Sequence, residues 1–228
     1  MTVSAAKGRS LADYEVVRIP VHLDEDERQR YAALSQQVRN FMADQRKTAP
    51  SFSWEDLCAQ SGSDPAARRA LRAFQAKKSI EDRATEKFRV LEDLFRLHAG
   101  EPVLVFAGSN AMARDVSLRF LIPCLLSHCG KRERLDVLEG LESGAYPALV
   151  ANRVLDEGVD LPEVKVAIVS GGLASDRQAK QRLGRILRKS GNQRATLYEI
   201  VTDDTNEVQR SRQRRRSDAY QGTRNRQL

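Results

Sequence analysis

Between Gln178 and Asn192 the chain reads QAKQRLGRILRKSGN, with Arg182, Arg185 and Arg188 three residues apart and Leu183, Ile186 and Leu187 threaded among them. A helix turns by about 100° per residue, so Gln181, Arg185 and Arg188 fall on one side of it and Ala179, Leu183, Ile186 and Leu187 gather on the other. The segment is expected to be a helix pinned by its apolar face, holding an amide and two guanidinium groups outward in fixed positions. Phosphoryl transfer is the chemistry that uses such groups. Its transition state spreads negative charge over the transferred phosphoryl group, and a positioned arginine accelerates it by roughly 10³ to 10⁵ in nucleotide hydrolases.

Three further stretches carry polar groups next to short apolar runs. Gly108-Ser109-Asn110 follows VLVFA, and 152-NRVLDEGVDLP-162 follows PALVA. Gly171 and Gly172 follow VKVAIVS and lead into the arginine segment. Gly158 permits tight backbone geometry, and Asp160 offers either a carboxylate for a ribose hydroxyl or a cap for local backbone amides. Ligands of open parallel sheets collect at the carboxyl ends of the strands. On that rule Ser109, Asn110, Asn152, Arg153, Asp160, Arg185 and Arg188 share one edge.

The elements that position them follow from periodicity. From Glu101 onward, largely apolar runs at 103–107, 147–151, 164–170 and 195–201 predict strands, with a further short one at 123–127. Amphipathic segments at 111–121, 131–142 and 175–189 predict crossover helices. Together they predict an α/β fold with a parallel sheet covered by helices on both faces. Tyr14–Val21 predicts a strand, and 23-LDEDE-27 an acidic helix start. Helical stripes continue to Gly100, interrupted by a Ser-, Pro- and Gly-bearing insertion at about 43–65. Phe52 and Trp54 in that insertion are expected to form either a small core or an aromatic surface that meets nucleic acid. The expected domains are a flexible N-terminus at 1–13, a strand and helical lead-in at 14–100, the sheet domain at 101–205 and a basic tail at 206–228.

Composition narrows the class. The 228 residues are 41% hydrophobic, enough for one sizeable core with a small appended subdomain. No apolar run approaches the ~20 residues of a membrane span, and the N-terminus has no signal core, so a cytoplasmic protein is expected. Three cysteines without a CxxC pair fit reduced thiols. Cys124, His128 and Cys129 lack a fourth ligand at zinc spacing, so no metal site is expected. The formal charge is +7. Gln209–Leu228 holds seven arginines and one acid, a tail that either tracks phosphates or is simply solvated. Lys131, Arg132 and Arg134 open a helix at the end where cations are disfavoured, offset by Glu133 and Asp136.

ALVANRVLDEGVDLP followed by QAKQRLGRILR resembles motifs V and VI of the superfamily 2 helicases, and VLVFAGSN resembles motif IV. QRLGRILR with RSRQRRRSDAY is similar to the XPB-type DNA repair helicases of bacteria and archaea. The resemblance implies a RecA-like second motor domain of an ATP-dependent DNA helicase or translocase. It implies Arg185 and Arg188 as arginine fingers, Gln181 and Arg182 supporting them, and Gly158 and Asp160 contacting nucleotide. Ser109, Asn110, Asn152 and Arg153 would meet the nucleic-acid backbone. Asn152 departs from the Thr or Ser that many superfamily members carry there. DNA, a first RecA-like motor domain and a nuclease or other repair protein are the implied partners. ATP and Mg2+ would be held mainly by the first domain, because GxxxxGK[ST] occurs nowhere in this sequence. Hydrolysis by this chain alone is not expected. The alternative is a DNA-binding or adaptor protein that keeps the fold without ATPase activity.

Overall fold

The computed structural model describes residues 14–152, 164–171, 195–215 and 224–227. The expected arginine helix and the N-terminal 1–13 lie outside the described residues. Two compact units emerge, one made of the chain up to His22 and from Thr85 onward, the other of Leu23–Ala84.

The first unit is built on seven parallel strands: β1 (Tyr14–Val21), β2 (Val103–Ala107), β3 (Cys124–Leu125), β4 (Ala148–Ala151), β5 (Val166–Ser170), β6 (Ala195–Thr202) and β7 (Arg224–Gln227). Their order across the sheet is β3-β4-β2-β5-β6-β1-β7. Every residue of β2, β4 and β5 is buried, as a sheet covered on both faces requires. These runs, VLVFA, ALVA and VAIVS, therefore read as near-continuous apolar stretches rather than as alternating patterns. Helices α4 (Thr85–Leu97), α5 (Asn110–Phe120) and α6 (Lys131–Glu142) belong to this unit. Phe88, Leu91 and Leu94 of α4, Met112, Ala113 and Val116 of α5, and Leu138 and Leu141 of α6 join the strand residues in one core.

Two features extend this unit beyond the expected 101–205. The first strand is not a lead-in: β1 lies between β6 and β7, in register from Tyr14 opposite Ala195 to Val21 opposite Thr202. The basic segment expected as a tail from 206 begins as helix α7 (Asn206–Arg215), and β7 then pairs with β1 from Glu15 to Arg18. Buried charge explains why the helix forms there. Arg214, 1% exposed, donates from Nε to Glu199 Oε1 at 2.8 Å, and Ser211 Oγ donates to Glu199 Oε2 at 3.1 Å. Glu207 accepts from Lys87 Nζ at 2.7 Å and from the Thr202 backbone N–H at 3.0 Å, with Glu207 and Lys87 both fully buried. A charge run usually signals a solvated face, whereas here one of its arginines neutralises an acid on β6.

The second unit is helical: α1 (Glu25–Thr48), α2 (Trp54–Gln60) and α3 (Pro65–Asp82). It reaches well past the insertion expected at about 43–65. Asp24 caps α1 by accepting from the Glu27 N–H at 2.8 Å, while the Glu27 carboxylate accepts from the Asp24 N–H at 3.1 Å. The LDEDE acids thus serve the helix start, where negative charge meets unpaired amides. Pro65 opens α3 behind Asp64, which accepts from the Ala66 N–H. Phe52 and Trp54 pack with Phe41 and Met42 around Leu57, Ala67 and Ala70. The Trp54 and Phe74 ring centroids are 4.2 Å apart. Buried Glu81 accepts from Tyr31 Oη at 2.7 Å, and Lys77 Nζ lies 5.4 Å from the centre of the Tyr31 ring.

Candidate functional site

The polar groups of the first unit converge at the carboxyl edge of the sheet. From β2 the chain passes through α5 to β3, two places away, and then returns through α6 to β4 beside β2. Right-handed crossovers running in opposite directions put α5 and α6 on opposite faces. The carboxyl ends of β2 and β4 lie side by side, at the edge where such sheets take ligands.

Ser109 is the N-cap of α5. Its extended backbone, φ −147° and ψ 159°, lets Oγ accept from the Met112 N–H at 3.2 Å. Asn110 and Ala111 then have backbone N–H groups with no intrahelical acceptor, and the helix dipole adds partial positive charge there. Replacing Ser109 by alanine is expected to lower stability by about 1 kcal/mol, as a lost cap does, measured by urea unfolding of the whole chain. The loop before the cap is tied to the neighbouring strand: the Gly108 N–H donates to the Ser170 carbonyl at 3.0 Å. Gly171, φ +83°, takes the left-handed turn that ends β5.

Asn152 follows β4 and is held by its own N–H, which donates to the Leu125 carbonyl at 3.2 Å. Between these strand ends Asn152 Nδ2 donates to Asn110 Oδ1 at 2.7 Å. Three of the expected residues, Ser109, Asn110 and Asn152, thus meet at one place. Arg153, Gly158, Asp160, Gln181, Arg182, Arg185 and Arg188 lie outside the described residues. The amide bridge spans 42 positions of sequence and leaves no local pattern that would announce it. Sequence reading also passes over Ser170, fully buried at the end of β5, whose Oγ has no hydrogen-bond partner among the described residues.

At the start of α6 the cations divide by task. Arg134 donates from Nε to the Cys129 carbonyl at 3.0 Å and from a terminal nitrogen to the Ser127 carbonyl at 3.1 Å, so it shapes the preceding loop. Glu133 closes that turn by accepting from the Gly130 N–H. Lys131 and Arg132 are exposed. Burial, with Cys129 beside it, pushes the Cys124 thiol up to about 11, so this sulfur stays protonated near neutrality. Among the described residues no three His, Cys, Asp or Glu side chains are grouped to hold a metal ion, and no helix is long and apolar enough to cross a membrane.

The arrangement can bind an anion. Its donors are uncharged and fixed by backbone, the kind of surface that grips a phosphate irrespective of the group attached to it.

Solved structures with a similar fold include the helicase domain of Hef from Pyrococcus furiosus, at TM-score 0.59 and 15% identity over 90% of this chain and 57% of that one. The C-terminal domain of the DEAD-box protein Dbp5 is similar at TM-score 0.53 and 17% identity, over 64% of this chain and 85% of that one. These likenesses identify the sheet as a RecA-like helicase domain fold. The chain is 34% identical over 215 residues to the DNA 3'-5' translocase XPB2 of Sulfurisphaera tokodaii, covering 94% of this chain and 49% of that protein. It is 37% identical over 138 residues to the DNA 3'-5' helicase XPB of Kineococcus radiotolerans, covering 60% of this chain and 25% of that protein. The chain therefore spans half or less of the length of these curated relatives. The profile of the ERCC3/RAD25/XPB C-terminal helicase family matches residues 69–226. Over most of its length, then, this chain belongs to the ERCC3/RAD25/XPB C-terminal helicase family.

Proposed function

We propose that the chain is the second motor domain of an ATP-dependent DNA helicase or translocase acting in DNA repair. Arg185 and Arg188 deliver guanidinium groups to a triphosphate, Gln181 and Arg182 support them, and Gly158 and Asp160 contact the nucleotide. Ser109, Asn110, Asn152 and Arg153 form part of the track for the DNA backbone. Mg2+ and the phosphates of ATP are held by a first RecA-like motor domain, because no phosphate-cradling GxxxxGK[ST] loop is present in this sequence. A nuclease or other repair protein is a further partner, and the cytoplasm is the compartment.

The observation that carries this reading is the side-chain bond between Asn152 and Asn110, 42 residues apart in sequence, beside the Ser109 cap at the carboxyl edge. Family membership supplies the reaction. Delivering the arginines from a separate domain makes hydrolysis depend on domain closure, and repeated closure moves the strand.

The test is a mixture of this chain with a first RecA-like domain of the same family. ATP hydrolysis stimulated by DNA is expected in the mixture and in neither component alone. DNA binding without stimulated hydrolysis in the mixture would instead favour an adaptor that keeps the fold.

A further inference from the structure

The two asparagines joined at the carboxyl edge are unequal. Asn152 is 7% exposed, whereas Asn110, at the first position of α5, is exposed. A side-chain amide carries one acceptor oxygen and one nitrogen with two donors. Because Asn152 Nδ2 donates to Asn110 Oδ1 at 2.7 Å, the Asn110 oxygen is committed to the protein. Its Nδ2, on an exposed residue, has no acceptor among the described residues. Without the bridge, an exposed asparagine would exchange two amide orientations of similar energy. Only one of these presents donors.

We propose that Asn152 is a positioning residue: buried itself, it fixes the Asn110 amide so that Nδ2 is offered to a phosphodiester oxygen of the DNA strand. Asn152 does not touch the strand. This rests on the reading of the carboxyl edge as part of the DNA track, and it assigns the two asparagines different tasks within that track. The chemistry selects the ligand. An outward Nδ2 beside the first amides of α5 makes a surface of donors, which suits an oxyanion and rejects a cation.

The test reverses the amide. Aspartate at 152 has only acceptors, so Asn152→Asp turns the Asn110 nitrogen inward and its oxygen outward. It also adds a charge that repels DNA. The Asn110→Ala background isolates that charge, because no amide remains there to turn. Binding of the whole chain to a fluorescein-labelled single-stranded oligodeoxynucleotide is measured by anisotropy for wild type, both single variants and the double variant.

Asn110→Ala is expected to weaken binding about tenfold, the worth of one hydrogen bond to a charged group. Asn152→Asp is expected to weaken binding several-fold more in the presence of Asn110 than in the Asn110→Ala background. Equal factors in both backgrounds would overturn the positioning role while leaving the track intact. Undetectable binding by the wild type, or binding unchanged by Asn110→Ala, would remove the track and this inference with it.

A measurement on the wild type covers the case of a poorly folded aspartate variant. In its ¹⁵N–¹H spectrum, added oligonucleotide should shift the Asn110 side-chain pair and leave the Asn152 pair in place. A shift of the Asn152 pair without one at Asn110 would contradict the proposal.

Discussion

Replacing Arg185 by alanine is expected to lower DNA-stimulated ATP hydrolysis in the two-domain assembly by about 10³ or more, with no loss of thermal stability. As the terminal phosphoryl group transfers, its oxygens carry negative charge that water stabilises poorly inside a closed cleft, and a fixed guanidinium stabilises it without reorganising. Such an arginine acts late, in the transition state, so the turnover number should fall while the affinity for ATP changes little. Arg188→Ala should act in the same direction. If the variants melt early instead, the arginines hold the fold and the proposed chemistry is wrong. Steady-state kinetics with melting curves on the same samples separates the two.

The second large effect concerns stability. Lys87→Met is expected to destabilise the chain by about 3–5 kcal/mol, the cost of leaving one member of a buried ion pair alone. Glu207 would then stay fully buried, with its Thr202 N–H bond but without the ammonium 2.7 Å away. The double replacement Lys87→Met with Glu207→Leu should recover part of the loss, since two apolar side chains need no partner. Urea unfolding of the three variants against the wild type gives the values.

Glu207 also makes stability depend on pH. Burial alone would raise its carboxyl, but the Lys87 charge and hydrogen bond, the Thr202 N–H and Arg214 together hold it below the ordinary 4.5. A depressed carboxyl contributes stability that is complete above the unfolded value and is lost as pH falls through the folded one. The stability gap between wild type and Glu207→Gln should therefore be constant near neutrality and narrow below pH 4.5. A gap that stays constant into acid would show that Glu207 is not depressed.

The sheet was legible because its signal is local. VLVFA, ALVA and VAIVS are buried on both faces, so their composition alone declares them. Asp24 in LDEDE announces a helix start because a cap acts on an amide three residues away. Contacts between distant segments were not legible. Nothing in YEVVRIPV states that it will slot between β6 and β7, or in the basic C-terminal run that Arg214 is spoken for by Glu199. The tail therefore reads as one charged stretch when its first part is a folded helix. Cutting the chain at Gln209 would take Arg214 from a buried carboxylate, so a truncation meant to test phosphate binding would also test folding. At the site, residue types at strand ends indicated Ser109, Asn110 and Asn152. The division of labour between an exposed amide and a buried one depends on packing alone.

The central claim is that cationic side chains of this domain reach a triphosphate held by another. A crystal structure of the two-domain assembly with DNA, trapped with ADP and aluminium fluoride in place of the transferring phosphoryl group, tests it most directly. The account predicts the Arg185 and Arg188 guanidinium groups within hydrogen-bonding distance of the fluoride ligands. Both groups pointing to solvent, in a closed assembly with the mimic bound, would contradict it.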